Sequence, residues 1–404
     1  METITAEASS KDDALTRAAD VLIEARIDKT EPQATAQRAS VGYSWDYGEG
    51  LGVKMAQALA HRIDPSVKLD AGREIVGSSI GAMASMWMQQ HGTRAQSDRH
   101  AIQISMSSSL PGHNSGDFIS TVIGASVELA LSRGYQQHQP EITRISRMME
   151  HEDYLERKMI RSGATGTITP VKENGEFTYT TLNDEGQSMP VAAPNGKIFK
   201  VTEQALANDR VDMLSGIERE MRKSATERMR QGLCDVLVGP SGDGINLDDG
   251  TAIFGTGATR GNKESSGALI TITAVSNMVA AMRRRTGVGG EALDIRPRFL
   301  LVPPELETVA RQFVGTVTAT ESQNVNPCSF LEVLVEPGLA SASQWYIAAD
   351  PNTADGLAHS FVGGNGPRVE TKPGWETPTV EFRVRMDVGF GCLDWRALAL
   401  NPGA

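Results

Sequence analysis

The chain has 404 residues, of which 40% are hydrophobic, and a formal net charge of -11. At roughly 100 to 200 residues per domain, this length predicts two or three compact units, and the composition is that of a globular protein. A net acidic surface repels the phosphate backbone, which argues against sequence-independent nucleic-acid binding. Three widely separated cysteines without a C-x-x-C pair indicate neither a disulfide framework nor a zinc site, and a reducing compartment fits best.

The amino-terminal sequence gives no sign of a targeting segment. METITAEASSKDD has no basic region followed by an apolar stretch, and nowhere do about eighteen apolar residues follow one another. We therefore expect neither export by the usual signal nor a membrane-spanning segment.

The first part of the chain reads as helices and linkers. A short helix is predicted at 12–27 and a polar linker follows it. Further helices are predicted at 51–63 and 75–90, the second of them rich in methionine. Its Met83, Met86 and Met88 are expected to serve as adaptable packing in a core or an interface.

A polar segment of small residues, SMSSSLPGHNSGD at 105–117, is predicted to be the main boundary. A helix is expected at 118–133, closed by Gly134. The run TITPVKE-Asn174-Gly175-EFTYTTL then predicts a β-hairpin, because both turn residues tolerate the positive φ of a type I′ turn. A second pair, Asn195-Gly196, is expected to reverse the chain before the strand KIFKV.

The longest helical pattern covers 209–238, where apolar residues recur every three or four positions until Gly239-Pro240 ends it. Its predicted length is on the order of 40 Å, which suits the mechanical spine of a flat subunit. The charged residues Glu218, Arg222, Glu227 and Arg230 are expected largely off the apolar face.

The remainder alternates helix and strand. A helix is predicted at 273–285 and a short one after the strand RFLLV, up to Phe313. FLEVLVEP and QWYIAA are predicted strands. The clearest strand is 380–388, in which apolar and charged residues alternate, so one face should be buried and the other wet and charged.

A search for catalytic or ligand-binding motifs finds none. FGTGATRG at 254–261 lacks the preceding apolar strand of a dinucleotide fingerprint and is interpreted as a loop. GDGINLDDG at 242–250 has Ile245 where an EF-hand needs an oxygen ligand, so Asp248, Asp249 and Gly250 are expected to form a turn. We predict no catalytic, cofactor-binding or metal-ligating residues, and no cofactor.

The remaining candidates have simple structural explanations. The histidines show no H-E-x-x-H pattern, and the cluster of His113, Ser115 and Asp117 reflects a polar loop. The arginines at 283–285 could contact phosphate or an acidic neighbour, but a helix carboxyl terminus explains them sufficiently.

The order of segments from about 115 to 404 resembles the major capsid proteins of tailed bacteriophages with the Hong Kong 97 type of fold. SGDFISTVIGASVELALSRGY is similar to the helix that opens the family's folded body, and APNGKIFKVTEQALANDRVDMLSGIEREM resembles the end of its extended loop and the start of its spine helix. The later matching segments follow in the family's order: DDGTAIF, RFLLVPPELETVA, EVLVEPGL, QWYIAADP and VRMDVGFGCLDWRALALNP. The closest similarity is to coat proteins fused to, or encoded beside, a prohead protease.

This resemblance implies an α+β capsid fold with an amino-terminal arm, an extended β-hairpin loop, a peripheral domain with a long spine helix, and an axial domain. Some relatives crosslink a lysine of the extended loop to an asparagine of a neighbour, and Lys172 and Lys197 lie in that region. The implied segments are an arm or scaffold-like helical region at 1–114, the start of the peripheral domain at 115–165, the extended loop at 166–200, the spine helix at 201–238, the axial domain at 239–370 and the return to the peripheral domain at 371–404.

The function implied is that of a major capsid protein, not an enzyme, located in the virion after assembly in the host cytoplasm. Pentamers and hexamers would close an icosahedral shell around double-stranded DNA without sequence-specific binding. A portal protein and a prohead protease, scaffold or decoration protein are the implied partners. Two alternatives stay open, an encapsulin-like nanocompartment shell and an undetected α/β hydrolase.

Overall fold

The computed structural model describes residues 50–106, 118–162, 184–257, 259–315, 328–364, 366–373 and 379–404. It opens with three helices, α1 (Leu51–Ile63), α2 (Ile80–Gln90) and α3 (Asp98–Met106). The prediction at 51–63 is confirmed. The helix predicted at 75–90 begins five residues later, because the Ser79 hydroxyl accepts the Ala82 N–H at 3.1 Å and so caps a start at Ile80.

The next helix continues where the sequence predicted a stop. A π-helical stretch (Ile119–Gly124) leads into α4 (Ala125–Gln137), which passes through Gly134. The expected termination is wrong because Gly134 faces the long helix, where a Cβ would collide with Arg222 and lie 3.0 Å from Glu218 Oε1. Here glycine permits a close approach of two helices instead of a turn.

The later elements alternate strand and helix. The strands are β1 (Ser146–His151), β2 (Lys158–Ser162), β3 (Asp184–Ser188), β4 (Ala193–Thr202), β5 (Pro297–Val302), β6 (Glu332–Val335), β7 (Trp345–Ala349), β8 (Leu357–Val362), β9 (Arg368–Pro373), β10 (Thr379–Cys392) and β11 (Leu398–Asn401). The helices are α5 (Glu203–Ala207), α6 (Val211–Val238), α7 (Ile272–Arg283) and α8 (Glu307–Val314), with 3₁₀ turns at Glu141–Ile145, Pro304–Leu306 and Trp395–Ala397.

Within the described residues the strands form three sheets. The largest has the order β1-β8-β10-β4. On the side of β10 away from β4, β9 pairs with its first half and β8 with its second half. A four-stranded sheet has the order β11-β7-β5-β6, and β2 pairs with β3 alone. Strand β10 is therefore the central strand of the largest sheet.

The Asn195-Gly196 pair does not reverse the chain. Both residues lie inside β4, which pairs with β10 in continuous antiparallel register from Ala193↔Val388 to Thr202↔Thr379. A ladder of this length overrides the local turn preference. A Cβ on Gly196 would lie 2.6 Å from the Val384 carbonyl oxygen, so glycine serves a close backbone approach.

Helix α6 joins three apolar cores. Leu214 and Met221 belong to the core of the amino-terminal helices, Met229 to a small cluster beneath β8 and β10, and Leu233 to the core under the four-stranded sheet. Its 28 residues span about 42 Å. The predicted long helix is confirmed, but Glu218 is only 3% exposed and does not lie on the polar face as expected.

The strand predicted at 380–388 is found within the longer β10. Val380, Phe382, Val384 and Met386 are buried against α6 and its neighbours. The expectation that the opposite face is wet is wrong at Asp387, which is 2% exposed. Tyr154, Arg368 and Arg385 form hydrogen bonds with this buried carboxylate.

The four-stranded sheet is covered on both faces. Phe299, Leu301 and Tyr346 pack toward the end of α6, while Leu300, Val302 and Ile347 pack toward α7 and α8. The helix predicted at 273–285 ends at Arg283, because Arg285 turns inward and donates to the Leu398 carbonyl oxygen at 2.9 Å. Burial lowers the pKa of Arg285 to about 10.

The predicted α+β class is confirmed by this mixture of helices and largely antiparallel sheets. The predicted helix at 12–27 and the hairpin around Asn174-Gly175 lie outside the described residues. So does most of the predicted boundary at 105–117. Of the helices in the described ranges, none is long and apolar enough to cross a bilayer.

Candidate assembly surfaces

Strands β2 and β3 pair with each other, and the residues that connect them, 163–183, lie outside the described part of the chain. This strand pair is called the arm root, because the sequence predicts the extended loop beyond it. Ile160 of β2 lies opposite Gly186 of β3 and is 67% exposed. No atom of a described residue lies within 4 Å of the position that a Cβ of Gly186 would take. One face of the arm root is thus open and carries an apolar side chain. A two-stranded ribbon of this kind needs support from elsewhere.

The first support is the turn enclosed by the β-bridge between Asn246 and Ala252. Asp248 accepts hydrogen bonds from the Ser188 N–H at 2.9 Å and the Ser188 hydroxyl at 2.8 Å. Lys158 Nζ lies 3.6 Å from the same carboxylate. The Ser188 hydrogen bonds lower the pKa of Asp248. The predicted turn at Asp248, Asp249 and Gly250 is confirmed, with Gly250 at φ +75, and it holds the base of the arm.

The second support lies at the other end of β2. Arg161 pairs with Asp394, and Arg396 Nη1 bonds Glu185 of β3 at 2.9 Å. Burial raises the pKa of Asp394 against the opposing effect of the Arg161 and Arg396 charges. The guanidinium of Arg396 also lies over the Trp395 ring, 4.9 Å from its centroid. Both strands of the arm root are therefore tied to the segment after β10.

The third support is a close crossing of backbones. The segment that leaves β3 passes over the face of β10 opposite α6, at Gly389 and Gly391. A Cβ on Gly389 would collide with the Val191 carbonyl oxygen, and one on Gly391 would lie 3.2 Å from Pro190. The Ser360 hydroxyl donates to the Pro190 carbonyl oxygen at 2.7 Å. Glycine at these two positions lets the returning limb lie flat on the sheet.

The fourth support holds the limb that enters β2. The Tyr154 hydroxyl donates to Asp387 Oδ2 at 2.8 Å, and Arg368 and Arg385 bond the same carboxylate at 3.0 and 2.9 Å. Burial acts to raise the pKa of Asp387, but the hydrogen bonds from Arg385 and Tyr154 and the two cationic charges bring it below its ordinary value. A buried carboxylate with these partners fixes the entering limb to β9 and β10.

The rest of that sheet face is charged. Lys200 Nζ lies 2.8 Å from Glu381 Oε1, and Arg383 pairs with Glu370. Ile198 stands beside them in β4 and is 58% exposed. Cross-strand ion pairs around an exposed apolar side chain make this face suitable for contact with another polar surface.

The residues that the sequence suggested as candidate sites do not lie together in the described structure. The glycine-rich segment 254–261 is held by the buried Asn262 that follows it, which accepts from the Gly255 N–H and donates to the Ile253 carbonyl oxygen, in agreement with a structural loop. Lys197 lies beside α6, with its Nζ 3.4 Å from Ser224 Oγ. His113, Ser115, Asp117 and Lys172 lie outside the described residues. In the part of the chain that is described, no group of His, Cys, Asp or Glu is arranged to hold a metal ion.

Sequence reasoning missed the residues that anchor the arm. Arg161 and Asp394 are separated by more than 200 positions, and so are Tyr154 and Asp387. The visible signals were the tyrosine in an acidic segment and the glycines in the second half of β10. Neither signal indicates which distant residue is the partner.

Helix α6 thus lies along three cores, and the arm root is fixed to the same subunit at four places. A family model described as "Phage capsid protein" matches residues 188–401, more than half of the chain. The chain therefore belongs to the phage capsid protein family. It is a major capsid protein, a shell subunit of the virion that works as a homo-oligomer.

Among solved structures, the chain is similar to one from Microbacterium phage Oxtober96, with 10% identity, coverage of 65% of this chain and 91% of that one, and a TM-score of 0.45. A structure from Mycobacterium phage Adephagia is similar with 10% identity, coverage of 65% of this chain and 89% of that one, and a TM-score of 0.43. It is also similar to a virus-like particle from Pyrococcus furiosus, with 12% identity, coverage of 69% of this chain and 99% of that one, and a TM-score of 0.41. No curated protein matches the sequence.

Proposed function

We propose that pentamers and hexamers of this subunit close an icosahedral shell around double-stranded DNA, with a portal protein in the shell. The observation that carries this proposal is the family match over residues 188–401. The role is structural and not enzymatic. A net charge of -11 suits a shell that encloses DNA without binding its sequence.

The proposed segments keep the boundaries that the sequence indicates. Residues 115–165, 201–238 and 371–404 form the peripheral domain, and 239–370 the axial domain. The position of α6 along three cores supports a spine that carries load between these parts. Residues 1–114 serve as an arm or internal scaffold, although α1 to α3 within them share a core with α4 and α6.

Of the extended loop predicted at 166–200, residues 193–200 lie in β4 of the subunit's own sheet, and the part before the β3 strand is proposed to lie over a neighbouring subunit. Its support is the arm root, which is anchored at four places on its own subunit while Ile160 stays 67% exposed. A firmly held root with an exposed apolar side chain offers a surface that a second copy can cover.

To test this role, residues 163–183 are replaced by Asn-Gly, which joins Ser162 to Asp184 in a two-residue turn. The root strands and all four anchors remain. We expect a folded subunit with an unchanged melting temperature that yields capsomers or monomers by light scattering and electron microscopy. Closed shells of normal size from this variant would refute the role of the arm.

The contents of particles distinguish the open alternatives. Particles purified from phage-producing lysates should contain nuclease-protected double-stranded DNA. An enzyme enclosed in place of a genome would favour the encapsulin-like shell, and a small soluble oligomer with hydrolytic activity would favour the hydrolase. A separate prohead protease, scaffold or decoration protein would be found in the same lysates by mass spectrometry.

A further inference from the structure

Two exposed segments of opposite charge flank the arm root. The acidic segment is 150–156, which contains four carboxylates and neither Lys nor Arg. The basic segment is 283–296, which contains four arginines and two carboxylates, a net charge of +2, and one of these arginines, Arg285, is buried. The two segments carry net charges of opposite sign and lie at different places on the subunit.

The acidic segment has unbalanced charge and exposed apolar surface. Asp153 pairs with Arg157 at 3.0 Å, but Glu150 and Glu152 are exposed and form no ion pair with a described residue. Leu155 is 70% exposed. The hydrogen bond from Tyr154 to Asp387 holds the segment on the sheet. The carboxylates are thus presented from a fixed backbone.

The basic segment has the matching character. Asp294 lies 2.7 Å from Arg283 and 3.2 Å from Arg296, whose side chain is 77% exposed. Arg284 is exposed and forms no ion pair with any described residue. Leu293 is 37% exposed beside these charges. An apolar side chain rimmed by charge is typical of a contact surface.

The basic segment is also held in one conformation. The Leu293 N–H donates to the Arg285 carbonyl oxygen at 3.0 Å, and the Gly287 N–H to that of Glu291 at 2.8 Å. Asp294 adopts φ 43, the left-handed region that residues other than glycine rarely occupy. This conformation sets its carboxylate between Arg283 and Arg296. Backbone strain of this kind is often found at functional surfaces.

The two segments lie at opposite ends of β2. The acidic segment ends two residues before Lys158, the first residue of the strand. Near the far end, Arg161 pairs with Asp394, and Arg396 next to it donates to the Thr286 carbonyl oxygen of the basic segment at 3.1 Å. Opposite charges at two separate places on one subunit allow a head-to-tail contact between copies, which forms a ring when the rotation between copies closes.

We propose that the acidic segment of one subunit binds the basic segment of the next. The proposal rests on the proposed shell function and identifies one of its subunit contacts. A second copy is favoured over nucleic acid because it supplies both the carboxylates and an apolar side chain, Leu155, to meet Leu293. A phosphate backbone would leave the acidic segment unexplained.

Charge reversal with mutual rescue tests the contact in the full chain. Glu150→Lys with Glu152→Lys should lower the yield of shells at least about tenfold, and so should Arg284→Glu with Arg296→Glu, because like charges then face each other. The four substitutions together should restore the yield to within about threefold of the unaltered chain. The measurement is sedimentation and electron microscopy of the purified protein.

Matched controls carry the same change of net charge elsewhere. Glu220→Lys with Glu305→Lys, and Arg219→Glu with Lys223→Glu, alter exposed residues outside both segments and should leave the yield unchanged. Equal losses in the controls, wild-type yields from either reversal, or no rescue by the combination would overturn the proposal. Loss of DNA binding by Arg284→Glu with Arg296→Glu while shells form normally would assign the arginines to nucleic acid instead.

A disulfide crosslink tests the contact independently of shell formation. Glu152→Cys and Arg284→Cys chains are mixed and oxidised, and a disulfide-linked dimer should form from the mixture well above either chain alone. The three natural cysteines are buried. If the unaltered chain forms no shell but the mixture crosslinks, the shell function fails and the contact stands. Shells without the mixed crosslink would refute the contact alone.

Discussion

The two faces of the largest sheet differ in how they use the same strand. Toward α6, β10 presents Val380, Phe382, Val384 and Met386, all buried in apolar cores. On the opposite face it presents charged residues, then Asp387 and two glycines over which the limbs of the arm pass. The first face stabilises the subunit through area removed from water, and the second positions the arm through particular polar contacts.

This difference predicts that substitutions on the apolar face affect folding, while those on the other face affect the arm and assembly. The largest effect is expected for Phe382→Ala, because Phe382 is fully buried. Its loss should lower the free energy of unfolding by about 3 to 5 kcal/mol. The matched change on the other face, Arg383→Ala, should cost no more than about 1 kcal/mol. Denaturant unfolding of the unassembled subunit measures both, and equal costs would contradict the distinction.

The apolar side of the sheet also holds a titratable group. His359 is 6% exposed and its Nδ1 lies 2.6 Å from Ser146 Oγ. Burial lowers its pKa from 6.5 to about 4. Between these values the unfolded chain binds the proton and the folded chain does not, so stability is full above pH 6.5 and is lost as pH falls through about 4.

From pH 7 to pH 4.5, His359 should account for a loss of about 2 to 3 kcal/mol in the free energy of unfolding. His359→Gln keeps a polar side chain without this titration, so its loss over the same range should be smaller by that amount. Denaturant titrations at the two pH values provide the comparison. Parallel losses in both proteins would show that His359 is not the group responsible.

The glycine crossing gives a smaller effect, of about 1 to 3 kcal/mol, because added atoms there force the backbones apart. Gly389→Ala would place its Cβ against the Val191 carbonyl oxygen, whereas Gly186→Ala adds a methyl group that meets no atom of a described residue within 4 Å. We expect the first to lower the melting temperature and the yield of shells, and the second to leave both unchanged. A neutral Gly389→Ala would mean that the returning limb lies elsewhere.

The smallest effect is expected at the exposed end of the arm root. Asp248→Asn weakens the bonds to Ser188 and removes the attraction of Lys158. Global stability should change little, since surface pairs contribute little. Amide hydrogen exchange at Ser188 should become faster, while exchange in β10 stays the same. Faster exchange throughout the sheet would indicate that this contact supports more than the arm.

The sequence predicted the elements whose patterns are local. The three-to-four spacing in α6 and the alternation in β10 each follow from one buried face. Asn195-Gly196 was misread because its partner strand lies almost 200 residues away, and pairing with β10 outweighs the turn preference. Gly134 was misread for the same reason, since the demand for a missing side chain comes from α6.

The arm supports could not be predicted, because each joins residues distant in sequence. Nothing near Arg161 indicates Asp394, and Asp387 looks like one more charged residue on a wet face until Tyr154, Arg368 and Arg385 surround it. Long-range polar contacts depend on the fold being formed, whereas apolar periodicity is written in consecutive residues.

Expression of the full chain alone, followed by light scattering and negative-stain electron microscopy, tests the central claim most directly. We expect closed shells tens of nanometres across, built from many copies of one subunit. Closed shells would also show that the region before residue 115 suffices as a scaffold. A small monodisperse species that stays small when lysate from phage-producing cells is added would contradict a shell-forming subunit.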